Sequence, residues 1–541
     1  MKKNLFLSII GLLLFSTATT AQIRTIDHPE YESCNTGSFE INKVEMKDSE
    51  TVLYCDGFGI PNDWIYLTSK SYLKGKSGKI YKFVRTEGFE MDKQIFMPAS
   101  GTVSFKLYME PLDKKETSFD FMEGENSDQF RILGIKTFKT KSTAAIHCLI
   151  KGEVIDRPQS SRLILIKSGG DDRISALYIP IKNGKFEYEL NCQNLEAYDL
   201  IFNDERRNGR WRPITFFAEQ GIVSFKLFPM DLFFNNVIKG GQLNGEYTQY
   251  LANRDSLFQL SARKEQENSL KNNNKYYSEV AMNLRKQMEA TKDKLVLDSL
   301  QILGNKLYES GEIYTPEAKN LEKQSQEMSL KSRDWELKCI QENNSLVGYY
   351  LLINRMEAAL DHFKEDIPEC IELYHSIYAK KYPKHPFTEQ MKIKVESITS
   401  IKIGGSYIDF VAPNFTGQPV RLSEQIKGKV ALIDLWASWC GPCRRSAISM
   451  IPVYETYKNK GFTIVGVARE SELSDAVNAA NKDKYPWLNL IELKDEGSIW
   501  AKYGVGNGGG GTFLIDKEGN ILAISPTAEE VKAILEKILK D

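Results

Sequence analysis

The sequence predicts a multidomain chain, all-β toward its N-terminus (sandwich-like and duplicated), helical in the middle and α/β at its C-terminus. Three observations predict it. Residues from about 35 to 240 alternate apolar and polar side chains at a period of two, broken by turn residues. From about Gly245 to Ser397 the texture changes to long charged segments with helical spacing. From Ile403 onward, strand-like and helix-like runs alternate around Cys440-Gly441-Pro442-Cys443. At 541 residues the chain has room for several domains, drawn as 1–21, 22–138, 139–244, 245–400 and 401–541.

The first segment reads as a leader. Lys2 and Lys3 precede an apolar run from Leu5 to Phe15, and small residues continue to Thr19-Thr20-Ala21, which marks a secretory signal peptide cut before Gln22. The run is short for a bilayer span, as is Leu346 to Ile353. Cys34 lies too far from the cut to carry a lipid. The mature chain is therefore expected in a bacterial periplasm. Its formal net charge of −1, with both signs interspersed, argues against nucleic acid or an anionic membrane as partner. In an oxidising compartment Cys34, Cys55, Cys148, Cys192, Cys339 and Cys370 are open to pairing, with buried free thiols as the equal alternative. Their spacing fixes no pairing.

Within the β region, Ile164-Leu165-Ile166, Phe186 to Leu190 and Val223 to Leu227 read as strands, and Asn183-Gly184 as a hairpin turn. Gly101 to Leu107 recurs as Gly221 to Leu227, which suggests that one β-domain repeats the other. In the charged region Leu284, Met288 and Leu295 fall on one helical face, and Lys271 to Asn274 marks a break. So much charge reads as the solvated faces of a helical linker domain rather than a partner surface. The C-terminal order is strand (Val430 to Trp436), helix (from Arg444), strand (Thr463 to Val467) and helix (Ser474 to Asn481). Then follow strands at Trp487 to Ile491, Thr512 to Ile515 and Ile521 to Ile524, and a last helix at Ala528 to Leu539.

That order puts Cys440 at the exposed N-terminus of a helix, where unpaired N–H groups and the helix dipole favour a thiolate. Cys443, one turn on, can close a disulfide with it. Trp439-Cys440-Gly441-Pro442-Cys443 matches the active site of the thioredoxin superfamily letter for letter. Asp409-Phe410, Gly417 with Val420, Leu422-Ser423 and Lys427-Gly428-Lys429 resemble the lead-in of TlpA/ResA-type periplasmic thioredoxins, which add a short N-terminal β-hairpin. Upstream, Ile150 to Val154, Asn183 to Phe186, Ala218 to Gly221 and Ile238-Lys239-Gly240 leading to Tyr247 and Tyr250 resemble an uncharacterised β-rich domain that precedes such modules.

The resemblance implies a thiol–disulfide oxidoreductase without cofactor. Cys440 is its nucleophile, Cys443 the resolving cysteine, and Trp439, Gly441 and Pro442 the supporting residues. An ordinary thiol is ~3% thiolate at pH 7, and a pKa of about 7 makes it about half. Lower nucleophilicity returns much of that gain, so the larger benefit is in Cys440 as leaving group. Asp434, six residues before Cys440 in an apolar strand, takes the place of a buried proton acceptor, its pKa raised toward neutrality. Clients are protein disulfides, and a membrane thiol carrier supplies electrons. The oligomeric state is not readable.

Three departures from the family stand out. Ser446 occupies the place of a frequent Glu. The helix has Pro452 rather than an early proline. Gly510, aligned through Thr512-Phe513, takes the place of a cis-proline, so Gly510, Gly511 and Thr512 form the substrate-facing loop in a run of glycines that is expected to be trans or mobile. A Gly510→Pro variant that gained reductase rate would support the view that the glycine loop weakens activity. Besides a reductase, three readings stay open: a disulfide isomerase, a binding scaffold on a degenerate module, and a metal site at Cys440 and Cys443. The last lacks ligands, since all five histidines lie outside the domain. Ala437 stands where peroxidases of this superfamily carry Thr, which disfavours peroxide chemistry.

Overall fold

A computed structural model describes residues 23–124, 129–138 and 143–539, so the leader lies outside the described residues. The chain divides into two compact units, Met1–Lys141 and Ser142–Asp541. The first is built on a nine-stranded sheet whose pairs are all antiparallel. Arg24–Asp27 forms one edge and Ser33–Cys34 the other, so the sheet curls until both edges come from the start of the unit. Alternation along Phe39–Met46 buries Phe39, Ile41, Val44 and Met46, with a bulge after Ile41. Phe39 packs on Phe121 with ring centroids 4.9 Å apart.

The second unit opens with a β-sandwich. One four-stranded sheet holds Lys185–Cys192, Ile146–Val154, Gly221–Leu227 and Val237–Lys239, and the other holds Leu177–Pro180, Arg162–Lys167, Ala197–Phe202 and Ile214–Phe217. Alternate side chains of both sheets, among them Ile150, Phe225, Leu165 and Phe216, meet in one core. The repeated sequence is not a repeated pairing. Gly221–Leu227 runs parallel to Ile146–Val154, whereas Thr102–Met109 runs antiparallel to Thr51–Phe58. The match marks two strands that each follow a glycine with positive φ, Gly101 and Gly221. Asn183 and Gly184, both with positive φ, do form a tight turn, but beyond the Lys182–Lys185 bridge the strands they join diverge into different sheets.

Helices fill residues 242–400. The first, Gln242–Phe258, is tied to the sandwich through buried Asn244, whose side chain accepts from Phe217 N–H (2.8 Å) and donates to Phe217 C=O (2.8 Å) like an added strand residue. The apolar run from Leu346 lies in Leu346–Asp361, a buried helix whose Tyr349 packs on Tyr378 and Phe387. The expected face through Leu284, Met288 and Leu295 does not hold. Glu279–Ala290 ends before Leu295, Asp293 caps a new helix at Lys294–Glu309, and Leu295 is 79% exposed. Among the described residues no helix is long and apolar enough to cross a membrane.

The C-terminal sheet has the order Leu488–Leu493, Phe462–Glu470, Val430–Trp436, Gly511–Ile515, Ile521–Ile524, with the first three strands parallel and the last two antiparallel. Val430–Trp436 is central and buried throughout, as a strand covered on both faces must be. Its period of two sends Ala431, Ile433 and Leu435 toward Phe410, Trp500 and Tyr503. Val430 and Leu432 pack with the helices Gly441–Tyr457 and Ala528–Ile538. A short hairpin, Val411–Pro413 with Pro419–Arg421, precedes this core. The molecule is thus multidomain, β-rich first, helical next and thioredoxin-like last.

Candidate active site

Cys440 caps the N-terminus of Gly441–Tyr457 and forms a disulfide with Cys443, Cα to Cα 5.3 Å. Cys443 N–H donates to Cys440 Sγ at 3.3 Å, one of the helix-end donors that no carbonyl satisfies. Pro442 sits in the first helical turn, where a missing N–H costs nothing. Contrary to the expected exposed position, Cys440 is only 5% exposed. The glycine run lies over it, close enough that a Cβ on Gly509 would stand 3.7 Å from Cys440 Sγ.

The even face of the central strand points Asp434 toward the active-site helix, between Leu432, which packs with Met450, and Trp436, which packs with Cys443. Asp434 is 3% exposed, and burial raises its pKa to about 7. A carboxyl in this state is close to half ionised at neutral pH, which suits it to exchange protons.

Gly510, Gly511 and Thr512 enter the strand Gly511–Ile515 beside Leu435 and Asp434. Gly510 N–H donates to Cys443 Sγ at 3.2 Å. A Cβ on Gly510 would meet Leu435 C=O at 1.8 Å, so any side chain at 510, proline included, requires the run or the strand to shift. All peptide bonds among the described residues are trans.

Several residues at the site gave little signal in the sequence. Glu470, a buried carboxylate at the end of Phe462–Glu470, accepts from Ser438 N–H. Arg444 forms a two-pronged pair with Asp483 (2.7 and 2.8 Å) and reaches Ser438 C=O at 3.2 Å, so both peptide groups of Ser438 are held. Trp439 tilts toward Trp500, centroids 6.2 Å apart, and the guanidinium of Arg173, from the sandwich, lies 3.6 Å from its ring centre. The signal that could have found Glu470 is the pair of charges, Arg469 and Glu470, that ends the otherwise apolar strand Phe462–Glu470. The other six cysteines form no disulfide in this structure, and all are buried but half-buried Cys339. Among the described residues no cluster of three His, Cys, Asp or Glu could hold a metal.

A parallel-then-antiparallel five-stranded sheet with a Cys-Gly-Pro-Cys disulfide at a helix N-terminus defines a thioredoxin-like dithiol protein. The AhpC/TSA family pattern matches residues 403–524. The thiol-disulfide oxidoreductase ResA of Geobacillus thermodenitrificans is 30% identical over 143 residues, 26% of this chain and 80% of that protein. The thiol:disulfide interchange protein DsbE of Pseudomonas aeruginosa is 31% identical over 125 residues, 23% of this chain and 66% of that one. A solved thioredoxin domain of a thiol-disulfide oxidoreductase from Bacteroides vulgatus is 27% identical, covering 26% of this chain and all of that one, with a TM-score of 0.25. Through its C-terminal domain the chain belongs to the ResA-like thiol-disulfide oxidoreductases.

Proposed function

We propose that the chain is an exported, periplasmic reductase of protein disulfides, with Cys440 as nucleophile, Cys443 as resolving cysteine and Asp434 as proton acceptor. The observation that carries this is the Cys440–Cys443 disulfide at a helix N-terminus above a buried carboxyl. In the reduced protein the Cys440 thiolate attacks a client disulfide, forming a mixed disulfide and releasing one client thiolate. Asp434 then takes the Cys443 proton, and the Cys443 thiolate attacks Cys440 Sγ. The second client thiolate leaves, and two electrons have passed from enzyme to client. A dithiol donor, here a membrane thiol carrier, restores the pair. Trp439, Gly441 and Pro442 support the geometry, and Gly510 to Thr512 face the client. The domains follow the division 22–138, 139–244, 245–400 and 401–541.

The Gly-Pro spacer matches thioredoxin, a reductant near −270 mV, rather than the oxidant near −120 mV. Ala437, fully buried before the disulfide, brings no hydroxyl for peroxide chemistry. Burial of Cys440 to 5% favours a second reading, a closed binding scaffold. Reduction of insulin by the full chain separates the two. The reductase turns over with dithiothreitol, loses activity as Cys440→Ser and accumulates a mixed disulfide as Cys443→Ser, whereas a scaffold does none of these. A midpoint between about −180 and −120 mV would move the protein to isomerase or oxidase work.

A further inference from the structure

The geometry points to the sandwich loop Gly169–Arg173 as a working part of the disulfide site: Arg173 and Asn507 are positioning residues that hold the glycine run against Cys443. The inference rests on the thiol–disulfide reading above. Gly506 to Gly511 contains one side chain, Asn507. Five glycines lose more freedom on ordering than any other residues would, so something outside the run must place it. The strand from Gly511 fixes one end. Asn507 fixes the other, through both ends of its side-chain amide and its own carbonyl. Its Nδ2 donates to Gly169 C=O at 3.3 Å, its Oδ1 accepts from Arg469 at 3.2 Å, and its own C=O accepts from Arg173 Nη2.

The anchor beneath these contacts is buried and charge-balanced. Asp171 receives a two-pronged bond from Arg173 (2.8 and 2.8 Å) and a third from Arg469 (3.0 Å). Arg469, 3% exposed, also pairs with Asp495. Ser471 Oγ donates to Arg173 C=O at 3.1 Å, and Arg173 lies over Trp439, the neighbour of Cys440. One turn of the sandwich therefore grips both sides of the disulfide, the tryptophan before it and the glycine run across it. At the far end of the run Gly510 N–H donates to Cys443 Sγ. After reduction that N–H stabilises the Cys443 thiolate, which is the group that attacks Cys440 and frees the client.

The test uses the full chain as Arg173→Ala and Asn507→Ala. Lys185→Ala is the control, which breaks an exposed pair with Glu153 on the sandwich, outside this loop. The rate at which Cys443 resolves a mixed disulfide at Cys440, the pH profile of that rate, and thermal melting are read for each. Freeing the run takes the N–H from the Cys443 thiolate that forms during resolution, so both variants should slow resolution about 3- to 10-fold at pH 7 and move its pH profile to more alkaline values. Arg173→Lys, which keeps the charge but loses the planar fork, should behave as Arg173→Ala does. The control should keep wild-type values. Lower melting with an unchanged resolution rate and pH profile would reduce the contact to domain packing and overturn the inference. If Arg173→Ala does not fold, Asn507→Ala decides alone. Wild-type protein that never cycles its disulfide overturns the function itself, and this inference with it.

Discussion

Asp434 is the residue on which pH acts most directly. Its pKa stands near 7 against 3.8 for an ordinary Asp, with burial as the cause. Because the folded value is raised, the native state holds a proton that the unfolded chain gives up. Stability is therefore full below about pH 4, falls as pH rises toward 7 and levels off above it. The loss is on the order of 4 kcal/mol at 1.36 kcal/mol per pKa unit. Asp434→Asn should thus melt higher than the wild type at pH 8 and level with it near pH 4. The same variant should resolve mixed disulfides at least tenfold more slowly and lose the inflection near pH 7 in that step. A wild-type pH profile in Asp434→Asn would remove it from the mechanism. Position and burial of this residue were legible, since an acid inside the apolar run Val430 to Trp436 is buried whichever face of the strand it takes. The burial of Cys440 was not, because the glycines that cover it carry no side chains to announce the contact.

At the scale of elements, the glycine run and the central strand are fitted backbone to backbone. Gly510→Ala would drive a methyl group into Leu435 C=O, so the run must lift or the strand must bend. We expect a loss of about 1–3 kcal/mol by overpacking, read as a lower denaturant midpoint, together with slower resolution at Cys443. The C-terminal elements were readable almost to the residue: Val430–Trp436 and Ile521–Ile524 carry the expected bounds, and Leu473–Asp483 extends its expected helix by a residue or two at each end. Their apolar periods are long and unambiguous. Elsewhere the local signal outran its meaning. Asn183-Gly184 specifies a turn but not which sheets its arms join, and the Gly101 and Gly221 repeats specify strands but not partners. Leu284 and Leu295 share a helical phase only while the helix continues, and Thr291 to Asp293 interrupts it.

For the molecule as a whole, the order of domains was legible from texture, whereas the grip of the sandwich on the active site was not. Asp171 and Arg173 stand more than three hundred residues from Asn507 in sequence, and no periodicity links them. Two measurements address the whole chain. N-terminal sequencing of secreted protein should begin at Gln22, and an uncut Met1 would withdraw the export reading. Alkylation of denatured, unreduced protein should add six labels, and prior reduction should raise this to all eight cysteines. Four labels before reduction would reveal a second bridge. The free thiols carry a further consequence. A catalyst of sulfur exchange that houses six idle thiols is a substrate for its own chemistry whenever it opens. Burial of five of them makes the folded core a form of chemical insulation, and each excursion to the unfolded state becomes a hazard of crosslinking as well as of proteolysis. In an oxidising compartment the working life of this protein is then set by how seldom it unfolds, more than by how stable it is on average.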